Sequence, residues 1–371
     1  MRKEIYLDNG ATTRVRKEVM QVMLPYFTEQ YGNPSSKHAL GRNAFEALTC
    51  AREILARSIG ARAEELIFTS GGTEANLLAL LGVAAASTKK KILVSSIEHA
   101  SVRAVCDVLR ERRYSVREIP VNREGRVDVQ VLEKMIDAQT LLVSVIHGNN
   151  EVGTLQDVRA IGALCQRKGV LFHTDAVQSF GKVPIDVRTM QIDVLSASAH
   201  KIHGPKGVGF LYVRTGVPLV PVMSGGGQER GLRGGTEHVA GIVGFAKACA
   251  LMSRADVKRV QHLRDFFIAC LEALGAQLTG DREQRLPQHV SVVFQGIDAE
   301  RLAVFLSERG IFCSTKSACL SRVKEESHVL RALGMSAQEM RGAMRFVLSR
   351  ETTRKELEQT AKVIEGFVGK R

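Results

Sequence analysis

A chain of 371 residues, 44% hydrophobic and 25% charged, holds enough apolar material for one large domain and a smaller one, which argues against a peptide-scale module or a disordered chain. The formal net charge of +13 fits a nucleic-acid partner, an acidic protein partner or a solvated basic surface. Its basic residues, such as Lys89 to Lys91, Arg110, Arg112 and Arg113, carry no interleaved aromatics, which disfavours direct nucleic-acid binding.

The opening MRKEIYLDNG lacks the apolar run of a signal peptide, and no later stretch is long enough to span a bilayer. A cytoplasmic protein without membrane contact is expected. From about residue 45, helical periodicity (Phe45, Leu48, Ile54, Leu55, Ile59) alternates with short β-branched runs, the pattern of βα units around a largely parallel sheet. The spacing predicts strands over 66–69, 92–95, 141–146, 170–174, 194–196 and 208–213. A Gly-rich stretch over 224–235 and an apolar helical run to Leu251 follow, and near Ala255 the texture changes to a long charged helix. Beyond it, strands are expected over 289–294, 310–314 and 344–348. The predicted architecture is α/β: a large domain over 15–254, and a smaller α+β domain built from 1–14 and 255–371.

Four segments carry candidate chemistry. Ser70-Gly71-Gly72-Thr73-Glu74-Ala75-Asn76 lies between a strand and an apolar helix, so its free N–H groups can hold a phosphate, with the Thr73 hydroxyl adding a donor. A tight turn and cap reads the same way. Asp175, at the end of an apolar strand, can face a ligand crevice, although alone it also reads as a helix N-cap. Ser198-Ala199-His200-Lys201 places a lysine just after a strand, and such a lysine becomes a nucleophile only if burial or other cations strip its proton. Ser198 and His200 can reach a phosphate from the same turn. Finally, Cys319 falls in a polar stretch running to Glu326 and expected to form a mobile loop, where exposure, Lys316 and Arg322 favour the thiolate; Cys313 at a strand end reads as a core thiol. The seven cysteines are odd in number and form no CxxC pair, which argues against a disulfide framework and a zinc site.

Along nearly its whole length the chain resembles cysteine desulfurases of the NifS/IscS branch, which belong to the class V aminotransferases, fold-type I enzymes of pyridoxal phosphate. The resemblance runs through Tyr6-Leu7-Asp8-Asn9-Gly10-Ala11-Thr12-Thr13, Tyr31-Gly32-Asn33-Pro34-Ser35-Ser36, Glu98-His99, Asn149-Asn150-Glu151-Val152-Gly153-Thr154 and Gly225-Gly226-Gly227-Gln228-Glu229-Arg230-Gly231. It implies that Lys201 carries the cofactor as a Schiff base, Asp175 pairs with its ring nitrogen and His99 stacks on the ring. Asn150 and Gln178 hold its phenolic oxygen. Gly72, Thr73, Ser198 and His200 bind the phosphate, with Thr236 reaching it from the other subunit of a homodimer. Arg345, with Asn33, binds the carboxylate of L-cysteine.

The reaction it implies has L-cysteine displace Lys201, the freed amine and His99 move protons, and the Cys319 thiolate attack the substrate sulfur, leaving a persulfide on Cys319 and releasing L-alanine. The sulfur then passes to a protein acceptor, an iron–sulfur scaffold or a tRNA-thiolation enzyme, and transient ligation of an iron–sulfur cluster is the one metal role left to Cys319. A selenocysteine lyase, another class V enzyme or a catalytically weakened partner-binding homologue is the alternative. The chain departs from the family pattern at Lys316 (usually Gly), Gly10 (Ala), Leu77 (Asn) and Ser349 (Gly).

Overall fold

The computed structural model describes residues 4–315 and 326–369; Lys316, Cys319 and Arg322 lie outside the described residues. Among the described residues the strands are β1 (Ile5–Tyr6), β2 (Leu66–Thr69), β3 (Lys91–Ser95), β4 (Ser115–Ile119), β5 (Thr140–Ser144), β6 (Leu171–Asp175), β7 (Val194–Ser198), β8 (Gly209–Val213), β9 (Ala276–Leu278), β10 (His289–Phe294), β11 (Ile311–Phe312), β12 (Ser314–Thr315) and β13 (Ala343–Val347). The main sheet has the order β2-β8-β7-β6-β5-β3-β4. In it β7, β6, β5, β3 and β4 run parallel, and β8 lies antiparallel between β2 and β7.

Helices cover this sheet, so β2 and β5 are buried at every position. The helix Gly72–Ala85, apolar on nearly every side, packs against β7 and β8. Beneath the strand ends, Phe180 meets Phe210 edge-on at 5.3 Å and Phe245 at 5.8 Å, while Phe210 and Phe245 stack at 5.6 Å. Because Phe180 lies five residues after Asp175, this cluster fixes the turn that leaves β6.

The second sheet, β12-β13-β10-β9, is antiparallel. β1 pairs in parallel with β11, and a bridge from Asp8 to Val347 carries the N-terminal segment onto β13. Ile5 and Leu7 share an apolar core with residues between Val260 and Ile364, while a separate core is built from residues between Val19 and Ala248.

The strands expected in the main sheet occur within two residues of their predicted bounds. β4 was not expected. It is the sheet edge, with Ser115, Arg117 and Glu118 exposed, so no apolar run marks it. Among the described residues, no helix is long and apolar enough to cross a membrane.

Candidate active site

At the carboxyl ends of its parallel strands the sheet opens into one cleft, where α/β folds place ligands. β6 delivers Asp175, the turn after β7 delivers His200 and Lys201, and the segments after β3 and β5 deliver His99 and Asn150. Gly72, Thr73 and Gln178 also line the cleft, and Arg345 enters it from β13 of the second sheet. Ser198 lies just behind, its Oγ 3.9 Å from where a Gly71 Cβ would stand. Asn33 and Thr236 do not line the cleft: both are exposed, and Asn33 Oδ1 accepts from the Ser35 N–H at 2.9 Å. Cys319 is outside the described residues.

The phosphate candidate is the start of the helix Gly72–Ala85. Gly71 holds φ at 153°, open to glycine, and a Cβ on Gly72 would sit 2.5 Å from Val177 Cγ2, so the backbone must be bare here. Glu74 accepts from the Ser70 N–H at 2.8 Å and pairs with Arg233, which leaves the first helical N–H groups directed along the axis for an anion.

Next to this turn runs a relay that the sequence reading did not include. Asn76 Nδ2 donates to Asp175 Oδ2 at 2.7 Å and to Ser101 Oγ at 2.9 Å. Ser101 Oγ lies 2.8 Å from His99 Nδ1, which also accepts from the Ser101 N–H at 3.1 Å. An Nδ1 that accepts leaves the proton of a neutral ring on Nε2. The ring is neutral because burial pushes its pKa down against the pull of Asp175. Asp175 Oδ1 accepts from the Val177 N–H at 2.9 Å, so both carboxylate oxygens are satisfied and fixed. Asn76 follows Gly72 by one helical turn; that spacing is the signal that could have placed it on this face.

Lys201 Nζ donates to the carbonyls of Gly10 at 2.6 Å and Ala11 at 2.8 Å. Burial, then the Arg345 charge, lowers its pKa to about 8, opposed by Asp8 and Asp175. Arg345 donates from Nη1 to Asn150 O at 2.9 Å and from Nη2 to Asp8 Oδ1 at 3.0 Å. Asp8 was quoted in the sequence pattern without a role; here it aims the guanidinium. A Cβ on Gly10 would come within 2.8 Å of Val347 Cγ2 and 3.5 Å of Arg345 Cζ, which accounts for glycine at this departure from the family pattern.

Four buried polar atoms of cleft residues have no partner among the described residues: Asn76 Oδ1, Asn150 Oδ1, Gln178 Oε1 and Arg345 Nε. Left unsatisfied, such atoms cost about 1–3 kcal/mol each, so their gathering in one cleft marks it as built for a polar ligand. Together with an anion-ready helix start, a fixed buried carboxylate and a lysine of lowered pKa, they fit pyridoxal phosphate. Among the described residues, no group of three or more His, Cys, Asp or Glu is placed to hold a metal ion.

The family model for aminotransferase class-V matches residues 5–360. The cysteine desulfurase IscS of Dictyoglomus turgidum is 42% identical over 377 residues, covering all of this chain and 96% of that protein. Among solved structures, a NifS-like protein superposes with a TM-score of 0.93 at 38% identity, with both chains covered completely. A structure described as SspA in complex with cysteine gives a TM-score of 0.85 at 36% identity, over 95% of this chain and all of that one.

Proposed function

The chain belongs to the class-V aminotransferase family and is a cysteine desulfurase dependent on pyridoxal phosphate, and we propose how its residues divide the work. The helix start at Gly72 and Thr73, with Ser198 and His200, would hold the phosphate. Asp175 would hold the ring nitrogen, His99 the ring face, and the Asn150 and Gln178 amides the ring oxygen. Lys201 would bind the cofactor covalently. The observation that carries this reading is the meeting of that helix start, Asp175 and Lys201 in a single cleft.

When bound, the cofactor supplies an electron sink for the substrate Cα. Arg345, aimed by Asp8, would clamp the substrate carboxylate, with Asn33 assisting. Lys201 would take the Cα proton and return it, and the neutral His99, with its proton on Nε2, would assist as acid and base. Cys319 would attack the substrate sulfur: a sulfur–sulfur bond forms as the carbon–sulfur bond breaks, and protonation of the carbon skeleton yields L-alanine.

Only an unprotonated Lys201 can attach the cofactor. Stopped-flow absorbance should therefore show attachment to cofactor-free protein speeding up about tenfold per pH unit below about 8 and levelling above it. A rate independent of pH across that range would refute the assignment. Exchanging the planar fork of Arg345 for an ammonium in Arg345→Lys should raise the KM for L-cysteine by about 10- to 100-fold with a smaller change in kcat; an unchanged KM would remove Arg345 from the carboxylate site.

We also propose that the working form is a homodimer. Met20, Leu24, Phe27, Tyr31, Phe45, Val220, Val222 and Met223 expose apolar surface that a second copy would cover, and the exposed Thr236 is free to reach the partner's phosphate site. Light scattering should give the mass of two chains, and a single-chain mass would contradict this. The persulfide sulfur would pass to a protein acceptor, an iron–sulfur scaffold or a tRNA-thiolation enzyme; radiolabelled sulfur retained on Cys319 in the presence of both would argue against either.

A further inference from the structure

Glu98 stands directly before His99, does not line the cleft and is wholly enclosed by protein. A buried carboxyl group is costly, and an apolar side chain would fill the same space without that cost. Its contacts show what it does there. Oε1 accepts from Ser95 Oγ at 2.6 Å, at the end of β3, and from the Ile146 N–H at 2.6 Å, two residues beyond β5. Asn149 Nδ2 donates to Ile97 O at 2.9 Å, a second tie between the same two segments. His328 Nε2 donates to the Glu98 carbonyl at 2.8 Å. The peptide that carries His99 is therefore held from the β3 end, from the β5 end and by His328.

The carboxyl group does this uncharged. Its Oε2 is buried and has no partner among the described residues, so an anion there would lack a donor, whereas the acid keeps its own proton on that oxygen. The titratable groups around it do not offset a charge. Asp175 on β6 opposes a second anion, Cys106 on the helix Ala100–Glu111 is held as a thiol by burial, and the His99 ring is neutral. Burial, opposed by the Ser95 hydrogen bond, raises the Glu98 pKa to about 8, so the acid form prevails at neutral pH.

We propose that Glu98 is a positioning residue for His99: by bridging the Ser95 hydroxyl and the Ile146 N–H it joins the ends of β3 and β5, and so sets the peptide from which the His99 ring meets the cofactor. The β5 end it holds leads on to Asn150, so the groups assigned to the ring face and the ring oxygen keep one spacing. Loss of the Glu98 proton puts an anion without a donor into this joint, which displaces the ring and slows the reaction as pH rises through about 8.

This inference rests on His99 facing the cofactor. The test is kcat for alanine formation from L-cysteine, followed from neutral to alkaline pH, in the holoenzymes of wild type, Glu98→Gln, Glu98→Ala, His99→Ala and the double variant Glu98→Ala/His99→Ala. At neutral pH Glu98→Ala should lose about 10- to 100-fold. Added to His99→Ala it should cost about threefold or less, because the ring it positions is already gone. Glu98→Gln, which keeps Oε1 and carries no charge, should stay within about threefold of wild type at neutral pH and lack the fall through about 8. Should Glu98→Ala fail to fold, Glu98→Gln and its pH profile decide the matter. Wild-type kcat in Glu98→Ala, a Gln variant as impaired as Ala, or an alkaline fall unchanged in Glu98→Gln would overturn the proposal. His99→Ala at the wild-type rate defeats both readings, whereas an impaired His99→Ala that still suffers the full Glu98→Ala loss defeats only the role of Glu98.

Discussion

Lys201→Ala is expected to lower alanine production from L-cysteine by about 10^3-fold, and to leave the cofactor removable by gel filtration. Among the described residues Lys201 is the one amine that lines the cleft. No neighbouring group can therefore both fasten the cofactor and move the Cα proton. The carbonyls of Gly10 and Ala11, which receive the Lys201 ammonium, accept protons in hydrogen bonds but cannot take one up. A variant that retained a tenth of the wild-type rate would show that another group serves as the base.

Cys319→Ala is expected to bind cofactor normally, yet to lose at least about 10^2-fold in sulfur release. Of the other six thiols, Cys50 does not line the cleft, and the remaining five are held as thiols. Burial pushes Cys106, Cys165 and Cys313 up to about 12 and raises Cys249 and Cys270, so none of these supplies thiolate at neutral pH. The described chain on either side of Cys319 is fastened beside the cleft. Ser314 pairs with Arg345 across β12 and β13, Ser327 Oγ donates to Glu151 Oε2 at 2.5 Å, and His328 Nε2 donates to Glu98 O at 2.8 Å, next to His99. Cys319 follows Thr315 by four positions, a reach of at most about 14 Å. Unimpaired sulfide release together with normal cofactor absorbance in this variant would exclude a role for Cys319.

Much of this site was legible because each feature falls where one kind of local pattern meets another. An apolar run ending in Asp175, a strand ending just before His200 and Lys201, and glycines before an apolar helix all lie at strand ends, where a parallel sheet gathers residues distant in sequence. The pattern was silent where tertiary contacts alone decide. Asn76 reads as one polar residue in an apolar helix until Asp175 and Ser101 are brought beside it. Asp8 and Arg345 are 337 residues apart in the chain and meet only because the N-terminal segment crosses to β13. Edge strand β4 escaped for the opposite reason: its exposed, charged residues carry no apolar pattern.

The central claim is that sulfur leaves L-cysteine as a persulfide on one cysteine of this chain. The most direct test is to react the holoenzyme with L-cysteine, block free thiols, digest it and weigh the cysteine peptides. The account predicts that the Cys319 peptide becomes heavier by one sulfur atom while L-alanine accumulates and the other cysteine peptides stay unchanged. Alanine formed with the extra sulfur on a different cysteine, or on none, would contradict it.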